Sequence, residues 1–134
     1  MDFNEILKIG LKAQKDDTVT DKNVASTYGS GGIAVYATPA MIGLMENTAL
    51  AAVDHLLPQG CCTVGTDLNV KHLSATPVGM KVYATAELLN IDGRALSFRV
   101  EAYDEAGKIG EGTHGRFIVE MEKFLARAMN KVSK

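Results

Sequence analysis

The sequence predicts an α+β fold in which an antiparallel sheet is wrapped around one long central helix. Two observations lead to this prediction. The segment 38–56 has the periodicity of a helix, and the segments after residue 60 alternate between apolar and polar residues with a period of two. Each alternating strand has one apolar face, and the helix is the only large apolar element that can cover those faces.

The long helix is predicted to begin at Thr38-Pro39, because Thr suits the N-cap and Pro suits the first helical position. The run TPAMIGLMENTALAAVDHLLP keeps a helical period and stops at Pro58. Upstream of it, a weakly patterned segment predicts a short strand around 10–19. The small residues of 26–32 predict a mobile loop.

Four strands are predicted after the helix, followed by a short amphipathic helix at the end of the chain. The strands are 63–73, 80–88, 96–103 and 108–120, and the helix is 121–129. In the first strand, the residues predicted to share the apolar face are Val64, Thr66, Leu68, Val70 and His72. A sheet wrapped around one helix is the hotdog arrangement, and residues 1–134 are predicted to form a single domain of this kind.

The composition excludes several classes of partner. The net charge is −2 and Trp is absent, so neither a nucleic acid nor an anionic membrane is an expected partner. The N-terminus lacks the apolar run of a signal peptide, and no segment approaches the roughly 20 apolar residues of a membrane span. Cys61 and Cys62 are adjacent and are predicted to be free thiols. We therefore expect a cytoplasmic protein.

Glu46 is a carboxylate predicted to lie within the apolar stripe of the helix. At roughly 100° per residue, five apolar residues fall within roughly 60° of it, namely Ile42, Ala49, Leu50, Val53 and Leu57. A buried carboxylate is costly unless it is partnered or functional. Glu46 is therefore hydrogen-bonded to a neighbouring strand, or reaches from the end of the core into solvent, or is part of a catalytic site.

Thr38 and His72 are two further candidates for chemistry. Thr38 stands at a helix N-terminus, whose free N–H groups and positive dipole favour a developing oxyanion, although it could be an ordinary N-cap. It lies about 12 Å from Glu46 along the helix axis, so the two could flank a substrate, even across a dimer interface. His72 ends a strand and is either structural or catalytic. With His55 and His114 on other segments, the histidines lack the spacing of metal ligands, and no metal site is predicted.

Gly65 and Arg116 have two possible interpretations each. A glycine inside a strand marks either a bulge or the close approach of a ligand or another backbone. An arginine among glycines, as Arg116 is, can bind a carboxylate, a phosphate or a surface acid.

The runs AVYATPAMIGLMENTAL, TVGTDLNVKHLSATPVGMKVYATAEL and GKIGEGTHGRFIV resemble the fluoroacetyl-CoA thioesterase-like group of hotdog proteins over roughly residues 15–125. The resemblance implies hydrolysis of an acyl-CoA thioester with a short or small acyl group. It also implies a homodimer with the substrate tunnel at the subunit boundary, and no cofactor beyond the CoA of the substrate. The residues that it implies are catalytic Thr38, Glu46 and His72, with Gly65 holding the thioester carbonyl and Arg116 near the active site.

One segment departs from that family. Members selective for fluoroacetyl-CoA carry bulky aromatic residues upstream of the helix, where this chain has GSGGIAVYA. Gly32 stands at the expected aromatic position and Tyr36 lies close by, so both are predicted substrate-binding positions and a different or broader short acyl group is expected. Two alternatives are a hotdog enoyl-CoA hydratase and a non-catalytic acyl-CoA-binding module.

Overall fold

The computed structural model describes residues 2–132, which form a five-stranded antiparallel sheet with one long helix packed across it. The strands are β1 (Lys12–Thr18), β2 (Cys61–His72), β3 (Lys81–Asp92), β4 (Ala95–Asp104) and β5 (Gly107–Glu120). The helices are α1 (Ala25–Tyr28), α2 (Thr38–Val53) and α3 (Met121–Met129). The strand order is β1-β3-β4-β5-β2, so β1 and β2 form the two edges. No helix of residues 2–132 is long and apolar enough to cross a membrane.

The core lies between α2 and the inner face of the sheet. The inward residues of β3 and β4 are those predicted by the period of two: Val82, Ala84, Ala86, Leu88, Leu96, Phe98, Val100 and Ala102. The helix contributes Met41, Met45, Ala49 and Ala52. Complete burial of a large side chain such as Met45 stabilises the fold by about 1.5–3 kcal/mol.

Gly110 on β5 allows the helix to approach the sheet closely. A Cβ at this position would lie 2.6 Å from the Sδ of Met41 and 3.1 Å from the carbonyl oxygen of Lys71. A larger residue would displace the thioether of Met41 and crowd the backbone of β2 at Lys71. The glycine-rich sequence of β5 is therefore a packing feature at this position.

The start of α2 differs from the prediction. The N-cap is Ala37 and makes no side-chain cap bond, while Thr38 is already the first helical residue. The predicted capping role of Thr38 is therefore wrong, and its hydroxyl is available for another partner. At the other end, a 3₁₀ turn over Asp54–Leu56 continues α2 to the predicted boundary.

The position of Glu46 on α2 is also corrected. The buried stripe of the helix consists of Met41, Met45, Thr48, Ala49, Ala52 and Val53. Glu46 is half-buried at the flank of this stripe and not at its centre. The sheet contacts a side of the helix rotated from the one that hydrophobicity alone indicated.

A bulge in β2 overturns part of the predicted strand face. The register against β5 shifts between Gly65 and Asp67. Residues opposite each other on neighbouring strands share a face, so Thr63, opposite buried Ile118, faces the helix before the bulge. Leu68, Val70 and His72 face it afterwards, as predicted, whereas the placement of Val64 and Thr66 on that face was wrong.

In the part of the chain before α2, the predicted strand is confirmed and the predicted loop is corrected. The short strand around 10–19 exists as β1 and pairs with β3. The segment 26–32, predicted as a loop, contains most of the single helical turn α1, which ends at Gly29 with φ 69°. A left-handed residue at this position suits glycine.

Candidate active site

Thr38 and His72 are positioned by backbone bonds on either side of them. The N–H of Tyr36 donates to the carbonyl of Thr76 at 2.8 Å, and the N–H of Ala37 donates to the carbonyl of Asn23 at 2.9 Å. These bonds fix the entry of the chain into α2, and so the location of Thr38. Just after His72, the N–H of Leu73 donates to Ile109 at 2.7 Å and fixes the end of β2.

The side chains of Thr38 and His72 meet directly. Thr38 Oγ1 lies 2.8 Å from His72 Nδ1, although the two residues are 34 positions apart in the chain. The other ring nitrogen of His72, Nε2, is buried and has no hydrogen-bond partner among the described residues. A neutral imidazole whose nitrogen accepts a hydroxyl proton is the arrangement that activates a hydroxyl group.

Burial lowers the pKa of His72 below its ordinary value of 6.5, and the backbone of Ser74 partly offsets this effect. The ring is therefore neutral at pH 7, and Nδ1 can accept a proton from Thr38. The 2.8 Å contact and the neutral ring both favour His72 as the acceptor of the Thr38 hydroxyl proton.

The direction of this shift predicts a pH profile. If the neutral form of His72 is the active one, kcat/KM falls on the acid side with a midpoint below pH 6.5, as the pH passes through the lowered pKa. Initial rates from pH 5 to 8 measure this, and an inflection above 6.5 would contradict it.

Folding stability needs to be followed over the same range. The pKa of His114 is lowered as well, mainly by burial. Both histidines bind protons less strongly when folded than when unfolded, so stability is complete above pH 6.5 and declines as the pH falls below that value. Thermal unfolding at each pH separates the loss of folded protein from the loss of catalysis.

A pocket of about 290 Å³ lies at the Thr38–His72 pair, with Tyr36 and Ser30 among its lining residues. Tyr36 is only 1% exposed, and its hydroxyl has no partner among residues 2–132. Burial raises the pKa of Tyr36, so the phenol stays protonated. Gly32 is exposed, does not line this pocket, and a Cβ there would meet nothing within 4 Å.

Glu46 and Gly65 form a second group of predicted site residues. A Cβ on Gly65 would lie 2.9 Å from Glu46 Oε2 and 3.3 Å from the Cε1 of His114. It would also lie 3.6 Å from Nη1 of Arg116, which is only 5% exposed. Gly65 therefore borders a bulge, which is one of the two alternatives that the sequence left open, and three side chains approach it closely.

The structure thus gathers the predicted residues into two separate groups. Thr38, His72 and Tyr36 lie at the start of α2, and Glu46 lies two turns further along, beside Gly65 and Arg116. Eight residues of helix correspond to about 12 Å. The described residues show no hydrogen bond that joins the two groups within one chain.

Two residues of the second group, Asp54 and Thr63, escaped the sequence reasoning, and a third, His114, was noted there without an assigned role. Arg116 is hydrogen-bonded to Thr63 and His114, and Thr63 is bonded in turn to Asp54. The spacing of His114 and Arg116 was the available signal, because residues two apart on a strand share a face. Within residues 2–132, no three side chains of His, Cys, Asp or Glu come together as metal ligands.

A family model and a relative of known name both connect this chain with fluoroacetyl-CoA thioesterases. The family model described as FlK: Fluoroacetyl-CoA-specific thioesterase matches residues 19–122. A fluoroacetyl-CoA thioesterase from Streptantibioticus cattleyicolor is 44% identical over 97 residues, which are 72% of this chain and 70% of that protein.

Solved structures agree with this similarity. One structure of the fluoroacetyl-CoA thioesterase FlK has a TM-score of 0.88 and 36% identity, covering 93% of this chain and 97% of the other. A hot-dog-like protein from Thermanaerovibrio acidaminovorans has a TM-score of 0.88 at 23% identity, covering 98% of this chain and 97% of the other. The second likeness concerns the fold alone, and together they confirm the predicted hotdog fold.

Proposed function

Because the chain belongs to the family of fluoroacetyl-CoA-specific thioesterases and is an acyl-CoA thioester hydrolase, we propose that Thr38, Glu46 and His72 are its catalytic group. The observation that supports this most directly is the 2.8 Å contact between Thr38 Oγ1 and His72 Nδ1. The enoyl-CoA hydratase and the non-catalytic binding module are set aside, because the matching family consists of thioester hydrolases.

Thr38 and His72 act as one unit in this proposal. The Thr38 hydroxyl gives its proton to Nδ1 of the neutral His72 ring as it takes one from the attacking water, and His72 then supplies a proton to the departing CoA thiolate. The same hydroxyl positions the reacting thioester. The site lies at the N-terminus of α2, where free N–H groups and the helix dipole stabilise negative charge on the thioester oxygen.

Glu46 is the second group that exchanges a proton or attacks the thioester. Gly65 lies against its carboxylate, since a Cβ there would come within 2.9 Å of Glu46 Oε2, and the backbone of Gly65 holds the thioester carbonyl in this proposal. Arg116 supplies a buried positive charge beside the same carboxylate. Tyr36 lines the pocket beside Thr38 and borders the acyl group in this proposal, and Gly32 lies upstream of it on the same segment, outside the pocket lining.

A homodimer completes the site in this proposal. β2 is a 12-residue edge strand, and its outer edge is unpaired among the described residues. Long unpaired edges favour pairing with another chain. An antiparallel pair of β2 strands centred near Leu68 and Asn69 would place His72 near Gly65 of the partner subunit, and would bring the two groups of residues together.

The proposed reaction converts an acyl-CoA and water to a free acid and CoA, and it uses no cofactor beyond the CoA of the substrate. The substrates that we propose carry small acyl groups, with less selectivity for fluoroacetyl than the relatives named for it, because Gly32 provides no aromatic side chain. A cytoplasmic location is supported by the free thiols of Cys61 and Cys62.

Thiol release from a panel of acyl-CoAs tests the substrate class. The panel contains acetyl, fluoroacetyl, butyryl, phenylacetyl and long-chain acyl-CoA, each measured against its own hydrolysis in buffer. We expect the highest kcat/KM among the small acyl groups, with acetyl-CoA and fluoroacetyl-CoA differing by less than about tenfold, the size of a modest pocket effect. Turnover restricted to long chains, or to fluoroacetyl-CoA alone, would contradict the proposal.

A further inference from the structure

A network of buried polar groups surrounds Arg116 and runs from the half-buried carboxylate of Asp54 to the backbone carbonyl of Asp67. Nε of Arg116 donates to Thr63 Oγ1 at 2.8 Å, and Nη2 donates to the carbonyl oxygen of Thr63 at 2.9 Å. The third nitrogen, Nη1, lies 3.1 Å from Nε2 of His114. Thr63, His114 and Arg116 are 4%, 1% and 5% exposed, so water has little access to these bonds.

Asp54 fixes the hydroxyl of Thr63. The Thr63 hydroxyl donates to Asp54 Oδ1 at 2.5 Å, and the Thr63 N–H donates to Asp54 Oδ2 at 3.1 Å. With its proton directed to Asp54, the hydroxyl oxygen presents only lone pairs to Arg116. The carboxylate at the end of α2 thus determines that Thr63 accepts from the guanidinium.

The tautomer of His114 is fixed from the other side. A guanidinium can only donate, so Nε2 of His114 must accept from Nη1 of Arg116. The ring proton is then on Nδ1, which donates to the carbonyl of Asp67 at 2.8 Å. The bulge of β2 ends at Asp67, so it sets the place of this carbonyl.

These contacts leave Arg116 a single orientation. Every hydrogen bond in this network has a fixed direction. The planar guanidinium is held by Thr63 on one side and by His114 on the other. Its Nη1 edge lies 3.6 Å from the place of a Cβ on Gly65, where Glu46 Oε2 also lies within 2.9 Å. The fixed charge therefore faces the space next to Glu46.

We propose that Thr63, oriented by Asp54, and His114 are positioning residues that hold Arg116 with its Nη1 edge toward the acyl end of the thioester. The inference rests on the proposed placement of the substrate beside Glu46 and Gly65. His114 takes no part in proton transfer, because both of its ring nitrogens are already bonded within the protein. This separates its role from that of His72, whose Nε2 is unpartnered among the described residues.

The substitution Thr63→Val tests this proposal. Valine keeps the β-branched shape in the strand but removes the acceptor for Nε of Arg116, so the guanidinium loses its fixed orientation. We expect kcat/KM for the best small acyl-CoA to fall about tenfold or more, mainly through kcat, as misplaced groups near reacting atoms typically do. Thr63→Ser restores the acceptor and is expected to recover most of the loss.

Two comparisons distinguish positioning from a purely structural effect. Thr113→Val makes the same chemical change at an exposed site on β5 and is expected to leave kcat/KM within about twofold. In an Arg116→Ala background, Thr63→Val is expected to add less than about a twofold further loss, because its effect acts through the missing arginine. Thermal unfolding of each variant shows the stability loss separately.

Two results would contradict the positioning role of Thr63. A Thr63→Val enzyme as active as wild type would overturn the positioning role, and so would an undiminished loss in the Arg116→Ala background. The coupling of Thr63 to Arg116 is measured on the enzyme's own turnover and does not depend on which residue attacks the thioester. If Thr38, Glu46 and His72 prove dispensable, the catalytic assignment fails, and the coupling still decides the role of Thr63.

Discussion

Replacing Thr38 by alanine is expected to lower kcat by at least about 100-fold, the usual contribution of a group that transfers a proton or attacks in the transition state. The side chain is exposed, caps no helix, and bonds to His72. Its removal should therefore cost little stability. Initial rates of thiol release at saturating acyl-CoA, with thermal unfolding of the same samples, measure both effects.

Matched variants support the interpretation of this loss. Thr38→Ser retains a hydroxyl in the same place and is expected to keep most of the activity. His72→Ala should cost as much as Thr38→Ala, and the double variant should be little worse than either, because hydrogen-bonded residues that act as a unit are not additive. A Thr38→Ala enzyme within a few-fold of wild type would refute the catalytic assignment.

Mixing two inactive variants is expected to restore activity if the site is shared between subunits. Glu46→Gln and Thr38→Ala should each inactivate the homodimer. A mixed dimer, purified through a different tag on each subunit, has one site with both substitutions and one site with neither. We expect about half of the wild-type rate per dimer, since one of its two symmetric sites is intact.

The control pairs Thr38→Ala with His72→Ala. These residues lie in the same group within one chain, so every site of that mixed dimer carries one substitution, and it should remain inactive. Activity restored by the first mixture and not by the second would locate Glu46 on the opposite subunit from the Thr38–His72 pair. An inactive first mixture, with dimers intact, would show that each chain uses its own Glu46.

Much of the fold follows from local patterns that the sequence already contains. The period of two in β3 and β4 identified their buried faces, because side chains alternate across a strand whatever the strand packs against. The helical run ended near its predicted boundary because Pro58 cannot continue a helix. The spacings around Thr38, Glu46 and His72 indicated the family, which the comparisons confirm.

Other features depended on pairings between distant parts of the chain. The bulge at Gly65 changed the face of β2, and neither Val64 nor Thr66 showed this, because register is set by the partner strand β5. Glu46 proved to lie at the flank of the helix stripe, since the sheet decides which side of an apolar helix is covered.

In the candidate site, too, some features follow from the sequence and others only from contacts between distant residues. The sequence by itself determined which residue types were available and on which elements they lie. Only the tertiary structure decided that the Thr38 hydroxyl meets His72 instead of capping its helix, and that Arg116 is held by Thr63. These pairs are 34 and 53 residues apart, and such contacts arise from the packing of the folded chain, which no local pattern records.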